Sequence, residues 1–193
     1  MHVRLNRTSM VVLLVLVLAA AGTCPARTIV FPENRGADGI RLARSSRSDV
    51  ALSFGLERVV IEDVVFRGRT MQRVAIGGVS LPADAGAPDL PGFGRFLALP
   101  EGAAPRLEIL SMETETVTGV DLIPAAALPF ENDDGPLEHT PDRSIYESNS
   151  LYPKEPIRLS EVKEMRGVDV VVLGITPFQY NPVKRELTII KSA

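Results

Sequence analysis

The chain has few of the residues from which catalytic and metal sites are most often built. Its 193 residues include one cysteine, two histidines and no tryptophan. Cys24 and His2 lie near the N-terminus, and the other histidine, His139, stands in a proline-rich stretch. No G-x-S-x-G elbow is present, and a zinc site built from Cys and His lacks ligands. Beyond residue 26, the sequence therefore argues against cysteine, serine-triad and zinc chemistry.

The charge and the aromatic content exclude further classes of function. The formal net charge is −3, which gives no attraction for nucleic acid or anionic lipid. Seven Phe and three Tyr are few for a protein that stacks sugars or bases. Hydrophobic residues make up 45% of the chain, enough for the packed core of one domain. We predict no nucleic-acid partner and no cofactor.

The first 26 residues have the pattern of a secretory signal peptide. Arg4 and Arg7 form a positive start, and an unbroken apolar run at residues 10–21 follows, too short to span a membrane. Cys24 and Ala26 suit the small-residue positions before a cut, so we predict cleavage after Ala26, with Ala21 as the second choice. Thr23 disfavours lipidation of Cys24. Export to the periplasm, cell surface or medium would remove the cysteine and change the formal charge from −3 to −5.

The remaining chain alternates short apolar segments with turn signals. We predict an all-β fold, an antiparallel and jelly-roll-like β-sandwich, with residues 27–49 as a loose N-terminal arm and residues 50–193 as the sandwich. A helical turn is expected only at residues 160–165. Strands are predicted at residues 28–31, 50–54, 58–66, 70–76, 96–99, 106–112, 115–120, 168–175 and 186–190.

Three of these predictions are specific enough to check. Arg67-Gly68-Arg69 is typical of a tight hairpin turn between two strands. Residues 106–112 alternate apolar and polar side chains, which indicates a half-buried strand. Residues 168–175 are almost continuously apolar, which predicts a strand buried on both faces.

An acidic loop offers the only candidate metal ligands. Glu131, Asp133 and Asp134 could supply oxygen atoms to calcium, although their spacing does not match a complete ligand loop. The alternative is a solvated acidic turn, with Asn132 and Gly135 as the turn-forming residues.

The stretch TPFQYNP, residues 176–182, joins the last two predicted strands, which are close enough in sequence to pair. Pro177 removes a ladder donor, and the Asn181-Pro182 dipeptide initiates a turn. Gln179 can satisfy backbone groups that the corner leaves open. Tyr180 can bury its ring while its hydroxyl finds a partner. We interpret the stretch as a rigid corner and not as a reacting site.

This corner also resembles a known family. The run VDVVVLGITPFQYNPVKRELTII is similar to the end of the propeptides of gingipain-type secreted cysteine peptidases, where a strand leads to P-x-Q-Y-N-P. GAPDLPGFGRFLALPEGA resembles the family's G-x-P-x-L-P segment with its following strand end. Leu151-Tyr152-Pro153 and Arg166-Gly167 are similar to its Y-P and R-G positions. The resemblance covers about residues 81–193, with weaker similarity from residue 50.

The resemblance implies a β-sandwich that assists the folding of a peptidase domain in cis and keeps it inactive. The catalytic His and Cys of that family lie in the peptidase domain, so this chain is expected to be the non-catalytic part of a truncated precursor of a cysteine endopeptidase. A loop at residues 130–150 is the expected inhibitory segment, with Arg143 as its plug if the peptidase prefers basic residues. The alternatives are an ordinary solvated arginine at position 143 and a stand-alone secreted binding or adhesion module.

Overall fold

The computed structural model describes residues 26–36, 38–46, 48–78, 83–127 and 137–193. In this part of the chain twelve strands account for nearly all regular structure, together with a single-turn 3-10 helix, Pro32–Asn34, and one short α-helix, α1, Arg143–Tyr146. The strands are β1 Ala26–Val30, β2 Gly39–Ser45, β3 Val50–Gly55, β4 Arg58–Phe66, β5 Arg69–Ile76, β6 Phe93–Ala98, β7 Glu113–Thr118, β8 Ile157–Leu159, β9 Lys163–Met165, β10 Val168–Ile175, β11 Phe178–Asn181 and β12 Glu186–Ser192. None of the described helices is long and apolar enough to cross a membrane.

The strands form three sheets, and every ladder between them is antiparallel. The first sheet has the order β1-β4-β5. The second has the order β6-β10-β8, with β9 also paired to β10. The third has the order β11-β12-β3-β2, with β7 paired to β12. One cluster of buried side chains draws on all three sheets, including Val59 of β4, Leu173 of β10 and Ile189 of β12. The predicted antiparallel β-sandwich is confirmed.

The β4–β5 hairpin forms where the sequence predicted it. Its register runs from Val59 opposite Ile76 to Phe66 opposite Arg69. Arg67 and Gly68 both have positive φ, at 48° and 76°. Two successive positive φ values are typical of the type I′ turn, whose twist matches that of the two strands it joins in a hairpin. Val59 and Ile61 are buried on one face of β4, as the alternation of its sequence requires.

Strand β10 is the centre of the second sheet, as its apolar sequence predicted. β6 pairs along one edge, and β8 and β9 share the other. Val171, Leu173 and Ile175 are buried on the core face. On the opposite face Val170 is buried, whereas Val172 and Gly174 are half-buried, so this face is covered only in part.

The N-terminal segment corrects the prediction of a loose arm. Within residues 27–49, β1 pairs with β4 and β2 pairs with β3. Phe31 is buried, and the side-chain amide of Asn34 donates to the carbonyl oxygens of Leu56 at 3.0 Å and of Lys191 at 2.7 Å. The polar composition was misleading because β2 is an exposed edge strand. Such a strand gains its order from backbone pairing and needs few apolar side chains.

Two further segments differ from the prediction. The expected helical turn at residues 160–165 is wrong: Lys163–Met165 is strand β9, joined to β10 by a turn at Arg166 and Gly167. The expected half-buried strand at residues 106–112 is also not found. This segment is exposed and belongs to no ladder among the described residues. A ladder needs a partner strand, which the alternation of one segment cannot supply.

Candidate functional site

The corner at residues 176–182 is the point where the chain passes from the second sheet to the third. We expected β10 and β12 to pair, and this is wrong. Phe178–Asn181 forms a strand of its own, β11, and makes a hairpin with β12 in which Phe178 faces Ile189 and Asn181 faces Glu186. Pro177 lies in the short connection from β10 to β11 and is buried. Its carbonyl oxygen accepts a hydrogen bond from the Ile190 amide of β12 at 2.8 Å. The corner therefore ties the two sheets together.

Tyr180 is the central side chain of the corner. It is fully buried, and its hydroxyl donates to the carbonyl oxygen of Val120 at 3.1 Å. The same hydroxyl accepts a longer hydrogen bond from the amide of Leu122 at 3.4 Å. Burial raises the pKa of Tyr180 above its ordinary value, which favours the protonated phenol that donates this hydrogen bond.

The two amides of the corner hold its surroundings in place. Gln179 donates from its side chain to the carbonyl oxygen of Pro153 at 2.8 Å. Asn181 donates to the side-chain oxygen of Asn149 at 3.0 Å and accepts from the amide of Lys184 at 3.1 Å. Pro182, which is half-buried, occupies the turn between them and β12. Both amides thus connect the corner to the long segment before β8.

That segment, residues 137–153, is anchored by the backbone of Tyr152 and by the side chains of Tyr146 and His139. The backbone groups of Tyr152 and Tyr180 exchange hydrogen bonds of 2.9 and 2.7 Å. The Tyr146 hydroxyl donates to the Leu122 carbonyl oxygen at 3.1 Å, and Nδ1 of His139 lies 2.7 Å from the carbonyl oxygen of Pro124. Burial raises the pKa of both Tyr146 and Tyr152. Tyr152 belongs to the Tyr-Pro motif noted in the sequence, whereas Tyr146 was not predicted to have a role, although a tyrosine in a proline-rich stretch indicates such an anchor.

Gly86, the first residue of the stretch that resembles G-x-P-x-L-P, is a second anchor. Its carbonyl oxygen accepts from the Asp142 amide at 2.8 Å, and its amide donates to the Ala125 carbonyl oxygen at 3.0 Å. Its φ is +81°, and a Cβ atom there would lie 2.7 Å from the backbone oxygen of Thr140. Only glycine allows the segment to approach this closely.

Arg143 is held on this anchored segment. It is the first residue of α1, and the carboxylate of Asp142 caps the helix by accepting from the amide of Ser144 at 2.8 Å and from its hydroxyl at 2.7 Å. These hydrogen bonds lower the pKa of Asp142. The Arg143 side chain is exposed and makes no ion pair within the described part of the chain. Of the predicted loop at residues 130–150, residues 130–136 lie outside the described residues.

The described residues offer little to a metal or a small molecule. No group of three or more His, Cys, Asp or Glu among them could hold a metal ion, and Glu131, Asp133 and Asp134 lie outside them. A cleft beside the corner, bordered by Asp84, Phe93 and Arg158, has a volume of about 110 Å³. Pockets for small ligands usually measure about 300 Å³ or more, so this cleft is too small.

A family model and the curated relatives of this chain point to the same protein family. The family model Propeptide_C25 matches residues 32–193. Lys-gingipain of Porphyromonas gingivalis is 27% identical over 146 residues, which cover 71% of this chain and 8% of that protein. Gingipain R2 of the same organism is 28% identical over 162 residues, which cover 82% of this chain and 22% of that protein. The chain thus spans less than a quarter of the length of these curated relatives.

Two solved structures share the fold. The complex of Porphyromonas gingivalis RgpB pro- and mature domains superposes with a TM-score of 0.72 at 23% identity, over 81% of this chain and 82% of that one. A structure on the zymogenic latency of gingipain K from Porphyromonas gingivalis superposes with a TM-score of 0.70 at 22% identity, over 88% and 95%. With most of its length matched by the family model, the chain belongs to the Propeptide_C25 family of gingipain propeptides.

Proposed function

We propose that this chain is the propeptide of a secreted gingipain-like cysteine endopeptidase, and that it acts on the peptidase domain in cis as inhibitor and folding chaperone. The match of residues 32–193 to Propeptide_C25 is the observation that carries the proposal. As a propeptide domain the chain is not itself the catalyst, and its partner is the peptidase domain of the same precursor. The match favours this function over a stand-alone binding or adhesion module.

Export through a signal peptide of residues 1–26 is part of the proposal. Residues 1–25 lie outside the described residues, and β1 begins at Ala26. Cleavage after Ala26 leaves Arg27, opposite Ile61, as the first residue of the mature chain and as a member of β1. The proposed cut therefore lies at the edge of the folded domain. The signal peptidase can reach this bond before β1 has paired with β4. The mature chain then acts in the periplasm, at the cell surface or in the medium.

The anchored segment at residues 137–153 is the part of the domain that we propose to face the peptidase. Arg143 stands on a helical turn that Asp142 caps and Tyr146 fixes to the core. A segment that is ordered before binding loses less conformational entropy when it enters a cleft. If the peptidase cuts after basic residues, the exposed guanidinium of Arg143 can pair with a carboxylate in its specificity pocket.

The experiment is a titration of the peptidase domain with the mature chain and with two variants. Arg143→Ala removes the proposed plug, and Arg41→Ala removes another exposed arginine, on β2, as a matched control. We expect Arg143→Ala to weaken inhibition at least tenfold and Arg41→Ala to leave it unchanged. Equal potency of all three proteins would reject Arg143 as the plug. Absence of inhibition by the unaltered chain would reject the proposed function itself.

The reading frame after the codon for Ala193 separates the propeptide from the stand-alone module. A frame that continues into a domain with a Cys and His pair supports the propeptide. A stop codon there, with no such domain encoded nearby, supports the module.

A further inference from the structure

Residues 104–112, which we call segment 104–112, have the sequence of a strand but no partner strand in the described part of the chain. The segment runs without a turn or a bend from the end of the loop after β6 into β7. Its backbone makes no hydrogen bond with any other described residue. Leu110 is 83% exposed, and Leu107, Ile109 and Met112 are each more than 40% exposed. An apolar strand edge of this kind is a template for pairing with another strand.

Strand β3 has a matching open edge. One edge of β3 pairs with β2 along its length. The other edge pairs with the end of β12 only, where Gly55 faces Ser192 and the backbone groups of Phe54 and Ala193 exchange hydrogen bonds of 2.8 and 3.1 Å. The four residues 50–53 therefore have a free edge with respect to the described part of the chain.

The two open edges belong to chain segments that flank the C-terminal end of β12. Ser192 pairs antiparallel with Gly55 on one side and with Glu113 on the other. Two strands that flank a common strand lie about 9–10 Å apart. A continuation of β12 beyond Ala193 would have residues 50–53 on one side and, where segment 104–112 keeps the direction of β7, that segment on the other. We call this space, one strand wide, the strand slot.

The side chains that border the strand slot suit a half-buried strand. Leu52 of β3 packs against the core cluster. Leu107 and Ile109 have the same parity as Val117, the buried residue of β7, so a continuous strand would turn them toward the core. A strand in the slot would receive backbone hydrogen bonds from both sides and would cover exposed apolar side chains on both flanks.

We propose that the strand slot holds the polypeptide that connects this domain to the peptidase domain, as an antiparallel continuation of β12. In naming the connecting polypeptide, the inference rests on the proposed function. The end of β12 is already paired with β3 and β7, so a chain that continues β12 meets both edges directly. It therefore loses almost no loop-closure entropy when it pairs with them. A second copy or a separate peptide would lose translational and rotational freedom as well.

A connecting strand held in the slot determines where the precursor can be cut. Residues 50–53 give the slot a flank of four residues on the β3 side, so the first four residues of the connecting strand are paired on both edges. Proteases cut exposed and flexible chain. The cut that separates propeptide from peptidase therefore falls beyond these residues, and the connecting strand stays with the propeptide.

Hydrogen exchange tests this inference directly. The two proteins are the 193-residue chain and the same chain extended by the ten residues that follow it in its gene. We expect amide exchange in segment 104–112 to slow at least tenfold in the extended protein, while the β4–β5 hairpin, as internal control, keeps its rate. Equal exchange rates in segment 104–112 would overturn the inference. Slowing that increases with protein concentration would show a second copy in the slot and would also overturn it.

Two proline variants of the extended protein make the test specific to the edge. Consecutive amides of a strand point to opposite edges, so only one of Glu108→Pro and Ile109→Pro removes an amide that faces the slot. We expect one variant to lose the protection of segment 104–112 and the other to keep it. Protection in both variants would overturn the inference. A protected protein that fails to inhibit the peptidase would reject the proposed function alone, and an unprotected protein that inhibits would reject the inference alone.

Discussion

Replacement of Tyr180 tests whether the corner is a structural joint of the propeptide. Tyr180→Phe removes only the hydroxyl, and it leaves the Val120 carbonyl and the Leu122 amide without their partner. Val120 and Leu122 are themselves buried, so water cannot replace the hydroxyl. An unsatisfied buried group costs about 1–3 kcal/mol, which is the loss of unfolding free energy we expect for Tyr180→Phe.

Tyr180→Ala removes the ring as well. Loss of a fully buried aromatic side chain costs about 3–5 kcal/mol, a large part of the stability of a domain. With a urea m-value of about 2 kcal/mol/M, the unfolding midpoint should fall by about 0.5–1.5 M for Tyr180→Phe and about 1.5–2.5 M for Tyr180→Ala.

The assay is urea unfolding of the variants beside a matched control. Tyr152→Phe removes a hydroxyl that donates to the exposed Asp84 carboxylate at 3.2 Å. Surface changes of this kind stay within about 0.5 kcal/mol, so its midpoint should hardly move. An unchanged midpoint for Tyr180→Ala would show that Tyr180 is not buried at the joint between sheets. Equal effects of Tyr180→Phe and Tyr152→Phe would show that the two buried hydrogen bonds are not formed.

Three further predictions follow from the anchors and the N-terminus. Gly86→Ala should lower the free energy of unfolding by about 1–3 kcal/mol more than Gly102→Ala does. Both residues have positive φ, but only at Gly86 would the added Cβ lie 2.7 Å from a backbone oxygen. Equal unfolding midpoints of the two variants would contradict this close approach. Burial raises the pKa of all three tyrosines, so the folded chain should show less phenolate absorbance near pH 10 than the unfolded chain. Its stability should fall as the pH rises above about 10, since the unfolded chain then loses protons that the folded chain keeps. A tyrosine that titrates near pH 10 in the folded chain would refute this. N-terminal sequencing of the exported protein should begin at Arg27, and a start at Met1 would reject both the signal peptide and export.

Local sequence patterns predicted those strands whose own side chains carry the signal. β4 and β10 were predicted with the bounds that the structure gives, because β-branched and apolar runs between turn residues indicate strands directly. β2 was missed because an exposed edge strand needs few apolar side chains. Residues 106–112 were overpredicted because alternation indicates a strand but not whether a partner lies beside it.

The pairing of strands and the anchors of the site depend on distant residues. The sequence indicated strands on both sides of the corner, but it could not show that β10 and β12 belong to different sheets, since the choice depends on all strands that compete for each edge. Arg143 could be chosen as an exposed arginine in a loop. Its fixed position depends on the hydrogen bond from Tyr146 to Leu122, 24 residues earlier in the chain, and local patterns carry no such information.

Activity of the peptidase domain, measured against the molar ratio of added mature chain, tests the central claim most directly. The proposed function predicts that activity on a small peptide substrate falls in proportion to the added chain and is lost near one equivalent. It also predicts that chain unfolded in advance has no effect. Full activity in the presence of a large molar excess of folded chain would contradict the proposal that this domain keeps the peptidase inactive.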